Sequence, residues 1–226
     1  MKGYIYKNVA LSASILAAET SRFDQDILEA ISAGIDSLHI DVMDGCFVSC
    51  TSFSPDIVTK IRQIASLDLH VHLMVEDPRQ YASVLAKNGA NLVSFHIEAM
   101  VDPSEMIQHI KALGMKAGLA INPETSINAV KAYLPLVDQL LIMGVRPGFG
   151  GQSFISKMLD KISAARDMAK KYEIDVAVDG GVSPSTAKEI AAKGANVLIA
   201  GTAIFAAKDK AASIRELLSA ARGMEC

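Results

Sequence analysis

The chain has 226 residues, half of them hydrophobic, 21% charged and 5% aromatic, with no Trp. That composition fits one domain over 1–226 with residues 1–8 as an N-terminal extension, and its core must be built from aliphatic side chains, Ala and Met rather than rings. A net charge of −3 with scattered Lys and Arg excludes a nucleic-acid footprint. No apolar run approaches the roughly 18 residues of a membrane span, and the first twenty residues lack a signal-peptide layout. A cytoplasmic protein with no membrane partner is expected.

In chain order, short apolar segments rich in β-branched residues alternate with longer ones whose apolar residues recur at helical spacing. Strands are expected over 9–14, 37–43, 69–75, 92–97, 116–121, 139–145, 175–181 and 196–201. Helices are expected near 21–33, 54–65, 78–88, 103–113, 125–133, 154–171, 184–193 and 207–221. Start signals support several of them: Pro55 follows Ser54, Pro78 and Pro103 each follow an Asp, and Pro184 follows Ser183. The echoes "SAGIDSLHI", "KNGANLVSF" and "AKGANVLIA" each close a helix with a Gly before a strand opens. Strict strand–helix alternation implies parallel pairing, and eight units in this length match an α/β fold of the (β/α)8 TIM-barrel kind. An open doubly wound sheet is the runner-up. It would carry a Gly-rich turn after its first strand, and "SILAAETS" is not one.

In such a barrel the active site gathers at the C-terminal ends of the strands. Strand 1 ends at Ser14, strand 2 offers His39 and Asp41, strand 3 His70 and His72, strand 4 His96 and Glu98, and strand 7 ends at Asp179. Residues two apart on a strand share a face. A lone strand His is ordinarily a hydrogen-bonded core residue. Inward His and Asp on one strand, His on a second and Asp on a third are costly without a partner. Two His and two carboxylates suit a divalent transition metal such as zinc, iron or manganese. His70, one layer deeper than His72, is expected to be structural. His96 and Glu98 can serve either as outer support or as partners of buried backbone, and His109 is expected on a solvated helix face.

The stretch "RPGFGGQSF" places Gly148, Gly150 and Gly151 in one turn after strand 6. Successive N–H groups in such a turn form an anion nest. "DGGVS" and "AGTAIF" add glycine turns after strands 7 and 8, where phosphate sites recur in barrels. No Gly-Lys-Ser/Thr follows, so this is not a Walker loop.

With these residues placed, the sequence resembles the ribulose-phosphate 3-epimerase family over nearly its whole length. The motifs that carry the resemblance are "SIL" at 14–16, "HIDVMDG" at 39–45, "HLMV" at 72–75, "NPET" at 122–125, "PGFGGQSF" at 147–154, "VDGGV" at 178–182 and "AGTAIF" at 200–205. The resemblance implies a ribulose-phosphate-binding barrel that inverts C3 of a ketose phosphate through a cis-enediolate, D-ribulose 5-phosphate to D-xylulose 5-phosphate. It implies one divalent metal per subunit, most often zinc, with iron, manganese or cobalt as alternatives, held by His39, Asp41, His72 and Asp179. Asp41 and Asp179 double as the acid/base pair. Ser14, His72, Met43, Met74 and Met143 line the substrate. The phosphate falls on Gly148, Phe149, Gly150, Gly151, Gly180, Gly181, Gly201 and Thr202. A phosphorylated ketose and a homo-oligomer are the implied partners.

Inverting a stereocentre by proton transfer needs a base on each face, which two aspartates from distant strands would supply. The sequence departs from the family in loops. Where the family usually continues His-Phe-Val-Pro-Asn after "MDG", this chain has Cys46, Phe47, Val48, Ser49 and Cys50; Ala13 replaces a Pro, and Arg146 replaces an Asn or Glu. These loops bear on substrate length, so the hexulose analogue, allulose 6-phosphate, is a competing substrate. An inactive sugar-phosphate-binding barrel would not need both aspartates, and a decarboxylase would carry a strand-end Lys that is absent here. Cys46, Cys50 and Cys226 lack zinc-type spacing and are expected as reduced thiols.

Overall fold

A computed structural model describes residues 4–223. Cys226 and the first three residues of the expected extension lie outside the described residues. Parallel strands close into a barrel in sequence order: β1 (Ala10–Ser14), β2 (Ser37–Met43), β3 (Asp68–Met74), β4 (Leu92–His96), β5 (Lys116–Ile121), β6 (Gln139–Met143), β7 (Asp175–Asp179) and β8 (Val197–Ala200). β8 returns to pair with β1, Ala10 beside Val197 and Ala13 beside Ala200. The helices are α1 (Phe23–Ser32), α2 (Asp56–Ile64), α3 (Ala82–Asn88), α4 (Ser104–Ala112), α5 (Met158–Lys170), α6 (Pro184–Ala192), the short α7 (Thr202–Phe205) and α8 (Lys210–Arg222). No helix among the described residues is long and apolar enough to cross a membrane.

Local chemistry sets the boundaries. Ser183 and Thr186 form a capping box at the start of α6, so two end N–H groups find side-chain oxygens. The three echoed glycines, Gly34, Gly89 and Gly194, sit at φ of 96°, 94° and 105°, the left-handed turn that ends each helix before a strand. Two expectations change. The segment 125–133 is not an α-helix: Ile127–Val130 is a single 3-10 turn. Beyond it, Lys131 N bonds Asn128 O, Tyr133 N bonds Val130 O and Leu136 N bonds Tyr133 O, all three residues back. Pro135 blocks helical geometry at Leu134 and denies the next turn a donor. The helix expected from 154 begins at Met158, because Ile155 N is spent on Gly144 O at 2.9 Å.

Alternation along the strands divides the side chains. Outward residues such as Leu38, Ile40, Val71 and Phe95 join the helices in the main core. Inward residues fall into two halves. Ala120, Leu141, Met143, Ala177, Val197 and Ile199 from β5–β8 form an apolar cluster. β2–β4 instead point His39, Asp41, His70, His72, Ser94 and His96 inward, all buried. The apolar half holds its shape by packing, and the polar half must satisfy its own polar groups.

Candidate active site

The register of β2 on β3 sets Asp41 beside His72 and Met43 beside Met74, and β7 ends with Asp179. One ligand atom from each of His39, Asp41, His72 and Asp179 lies within 4.8 Å of every other. Asp41 Oδ1 is 3.2 Å from both His39 Nε2 and His72 Nδ1. Asp179 Oδ2 is 3.8 Å from His39 Nε2 and 3.7 Å from His72 Nδ1. The second oxygen of Asp41 accepts from Ser14 Oγ at 2.9 Å, which leaves Oδ1 turned to the cluster. Two imidazole nitrogens and two carboxylate oxygens converging in a buried pocket fit a divalent transition metal.

The electrostatics follow from burial and partners. Burial alone would raise the Asp41 carboxyl, but the His39 and His72 rings beside it hold it well below the usual carboxylate range. Burial would lower His72, yet Asp179 and Asp41 outweigh it and push the ring up to about 9. One coupling underlies both shifts, so they are not separate contributions.

Behind His72 runs a second set of contacts. His72 Nε2 lies 3.0 Å from His96 Nε2, with ring centroids 5.0 Å apart and planes inclined by 28°. His96 Nδ1 lies 3.2 Å from Glu98 Oε2. Burial lowers His96 to about 4 although Glu98 opposes it, so the ring is neutral. Burial would raise Glu98, but His96, Thr125 and the Asn122 N–H bring it down to about 2. Phe47 covers His96 at 4.8 Å between ring centroids.

Above the cluster opens a cleft of about 690 Å³. Gly148, Phe149, Gly150 and Gly151, then Gly180 and Gly181, then Gly201 and Thr202 form one wall region, and Ser14, Met43, Met74 and Met143 line it with Asp41 and Asp179. His39 and His72 sit beneath, buried at 3% and 0% exposure. Gly181 is required twice over: its φ is +70°, and a Cβ there would stand 2.4 Å from Phe154 N. Arg146 is the one Lys or Arg on the lining, and its Nε donates to Glu124 Oε1 at 2.5 Å.

Sequence reasoning passed over two supports. Ser52 Oγ donates to Asp41 O at 2.6 Å and accepts from Met43 N at 3.0 Å, which ties down the C-terminal end of β2. Asp44, at the turn that follows β2, accepts from Cys46 N, Phe47 N and Glu76 N at 2.8, 2.9 and 2.7 Å. Its turn chemistry was a usable signal; nothing marks Ser52 in the sequence. Cys46 and Cys50 are free thiols, and His109 is exposed on α4.

With a (β/α)8 barrel and this strand-end cluster described, comparison with known proteins places the chain. The profile of the ribulose-phosphate 3 epimerase family matches residues 10–205. Ribulose-phosphate 3-epimerase of Synechocystis sp. is 41% identical over 92% of this chain and 92% of its own. The Arabidopsis thaliana ribulose-5-phosphate-3-epimerase, described as chloroplastic, is 40% identical over 95% of this chain and 78% of its own. Orotidine 5′-phosphate decarboxylase from Pyrococcus horikoshii OT3 superposes with a TM-score of 0.71 over 95% of this chain and 100% of its own, and at 15% identity it shares the fold alone. The family match and these relatives make the chain an isomerase acting on carbohydrates. The chain belongs to the ribulose-phosphate 3-epimerase family.

Proposed function

We propose that the chain interconverts D-ribulose 5-phosphate and D-xylulose 5-phosphate by two-aspartate proton transfer at C3. The observation that carries this is a pair of carboxylates, Asp41 and Asp179, on strands far apart in the barrel order yet facing one cluster. One aspartate takes the C3 proton, and the C3–H electron pair moves toward C2 to give a cis-enediolate. The other, carrying a proton, returns it to C3 on the opposite face. Asp41 is oriented for this work by Ser14, whose hydroxyl fixes its Oδ2. His39, Asp41, His72 and Asp179 would hold one divalent cation, zinc before iron, manganese or cobalt. When bound, that cation supplies the Lewis acidity that makes the C3 proton acidic and stabilises developing charge on the sugar oxygens. The glycine turns would bind the phosphate, and Met43, Met74 and Met143 give an apolar, polarizable wall around the enediolate.

Asp41→Asn and Asp179→Asn are each expected to cut exchange of the C3 proton with solvent by about 10²–10⁴-fold, while phosphate binding survives. Full exchange in either variant would sink the two-base mechanism. Allulose 6-phosphate should turn over less well than ribulose 5-phosphate. A preference for the hexulose would reassign the substrate to the loop 46–50 and Arg146.

A further inference from the structure

We propose that Glu98, acting through His96, is the positioning residue that fixes the tautomer and ring orientation of His72. The inference rests on the reading of His72 as a cation ligand, given above. It is carried by the order in which protons must be shared along three side chains.

His72 turns Nδ1 toward Asp41 and Asp179, so Nδ1 is the atom that would offer a lone pair to a cation. The ring proton then belongs on Nε2, and the only described partner of Nε2 is His96 Nε2 at 3.0 Å. His96 must accept there, so its own proton sits on Nδ1. That N–H points at Glu98 Oε2, 3.2 Å away. Each tautomer follows from the next, and the series ends on a carboxylate. Reversing one step would set N–H against N–H, or lone pair against lone pair, inside a buried stack.

Glu98 is suited to the end of this series because it has two acceptor oxygens in use. Oε2 faces His96, and Oε1 accepts from Asn122 N at 2.9 Å. The loop that contributes Asn122 is itself fixed. Lys161 Nζ, from α5, donates to the carbonyls of Asn122, Pro123 and Thr125 at 2.9, 2.7 and 2.7 Å. The orientation of His72 is therefore referred to a helix on the far side of the β5 loop. Phe47 packs against the His96 ring, which is fully buried. Outer partners of this kind commonly set a histidine ligand's affinity for its metal.

Glu98→Gln is the discriminating change, because Gln has one acceptor oxygen for two N–H donors. Either His96 or Asn122 then meets an amide NH₂. Zinc affinity is measured at equilibrium by competition with a chelator, alongside the melting temperature of the metal-free protein. The expected result is affinity weaker by about 10–100-fold with little change in metal-free melting. Wild-type uptake of zinc with unchanged affinity in E98Q overturns the proposal alone. Wild-type protein that takes up no zinc overturns the cation reading, and the proposal with it. A second measurement needs no variant: imidazole ¹⁵N NMR of the zinc-loaded wild type. Protons on His72 Nε2 and His96 Nδ1 are expected, and a proton on His96 Nε2 refutes the relay.

Discussion

His70 and His72 lie two residues apart on the same inward face of β3, and burial penalises the charged form of both. Their outcomes are opposite. His70 is driven down to about 3 by burial, with the His39 ring and Lys116 adding to the effect, and its Nε2 has no hydrogen-bond partner among the described residues. His72, one layer nearer the cleft, meets Asp179 and Asp41 and rises to about 9. Burial alone makes a histidine an inert core residue. Burial opposed by carboxylates makes it a ligand-ready one. The difference is set by what β2 and β7 place opposite each ring.

The largest break in that comparison is metal uptake. His72→Ala should lose more than the ~10–100-fold in zinc affinity that removal of an outer partner costs, whereas His70→Asn should stay within a few-fold of wild type. Equal losses would show that depth in the barrel does not separate the two roles.

The pH dependence of stability in the presence of a chelator should show both histidines with opposite sign. For His72 the folded value lies above the unfolded 6.5, so its contribution is full below pH 6.5 and is lost as pH rises toward about 9. For His70 the folded value is depressed. The unfolded chain takes up its proton first, and stability falls as pH drops from 6.5 toward about 3. Each histidine contributes a limiting slope of about 1.4 kcal/mol per pH unit, and His96, lowered to about 4, adds to the acid limb with the same sign as His70. Urea unfolding across the pH range reads both. His70→Asn should make the acid limb shallower and leave the alkaline one, and a variant that alters neither limb would remove His70 from the account.

The smallest effect completes the contrast with a partner that lacks burial. Arg146 pairs with Glu124, but both side chains are mostly exposed. Arg146→Ala should change unfolding free energy by less than about 1 kcal/mol and leave inorganic phosphate affinity nearly unchanged. A marked loss of phosphate binding would place Arg146 at the anion site.

The strands were legible because each is an apolar run with both faces covered, and their starts and ends fell within two residues of expectation. The four residues of the cluster were legible for the complementary reason: inward ionisable groups at the ends of such runs are costly without a partner, though the same signal falls on His70, which stays outside the cluster. The segment 125–133 misled because Ile127 and Val130 mimic helical spacing, while its backbone bonds close three residues back and Pro135, just beyond it, blocks helical geometry at Leu134. His96 and Glu98 stayed ambiguous for a different reason. Their roles depend on which nitrogen faces which neighbour, a property of three strands packed together.

Asp44 holds three backbone N–H groups and also bridges to Thr51, so the loop between them is clasped at its base. Its tip, Cys46–Cys50, reaches back into the site: Phe47 packs on the His96 ring, and Val48 packs with Met43 and Met74. The loop is therefore tied to the chemistry at its tip as well as at its base: a lineage that explores new sugars there must keep Phe47 and Val48 in register with the site below.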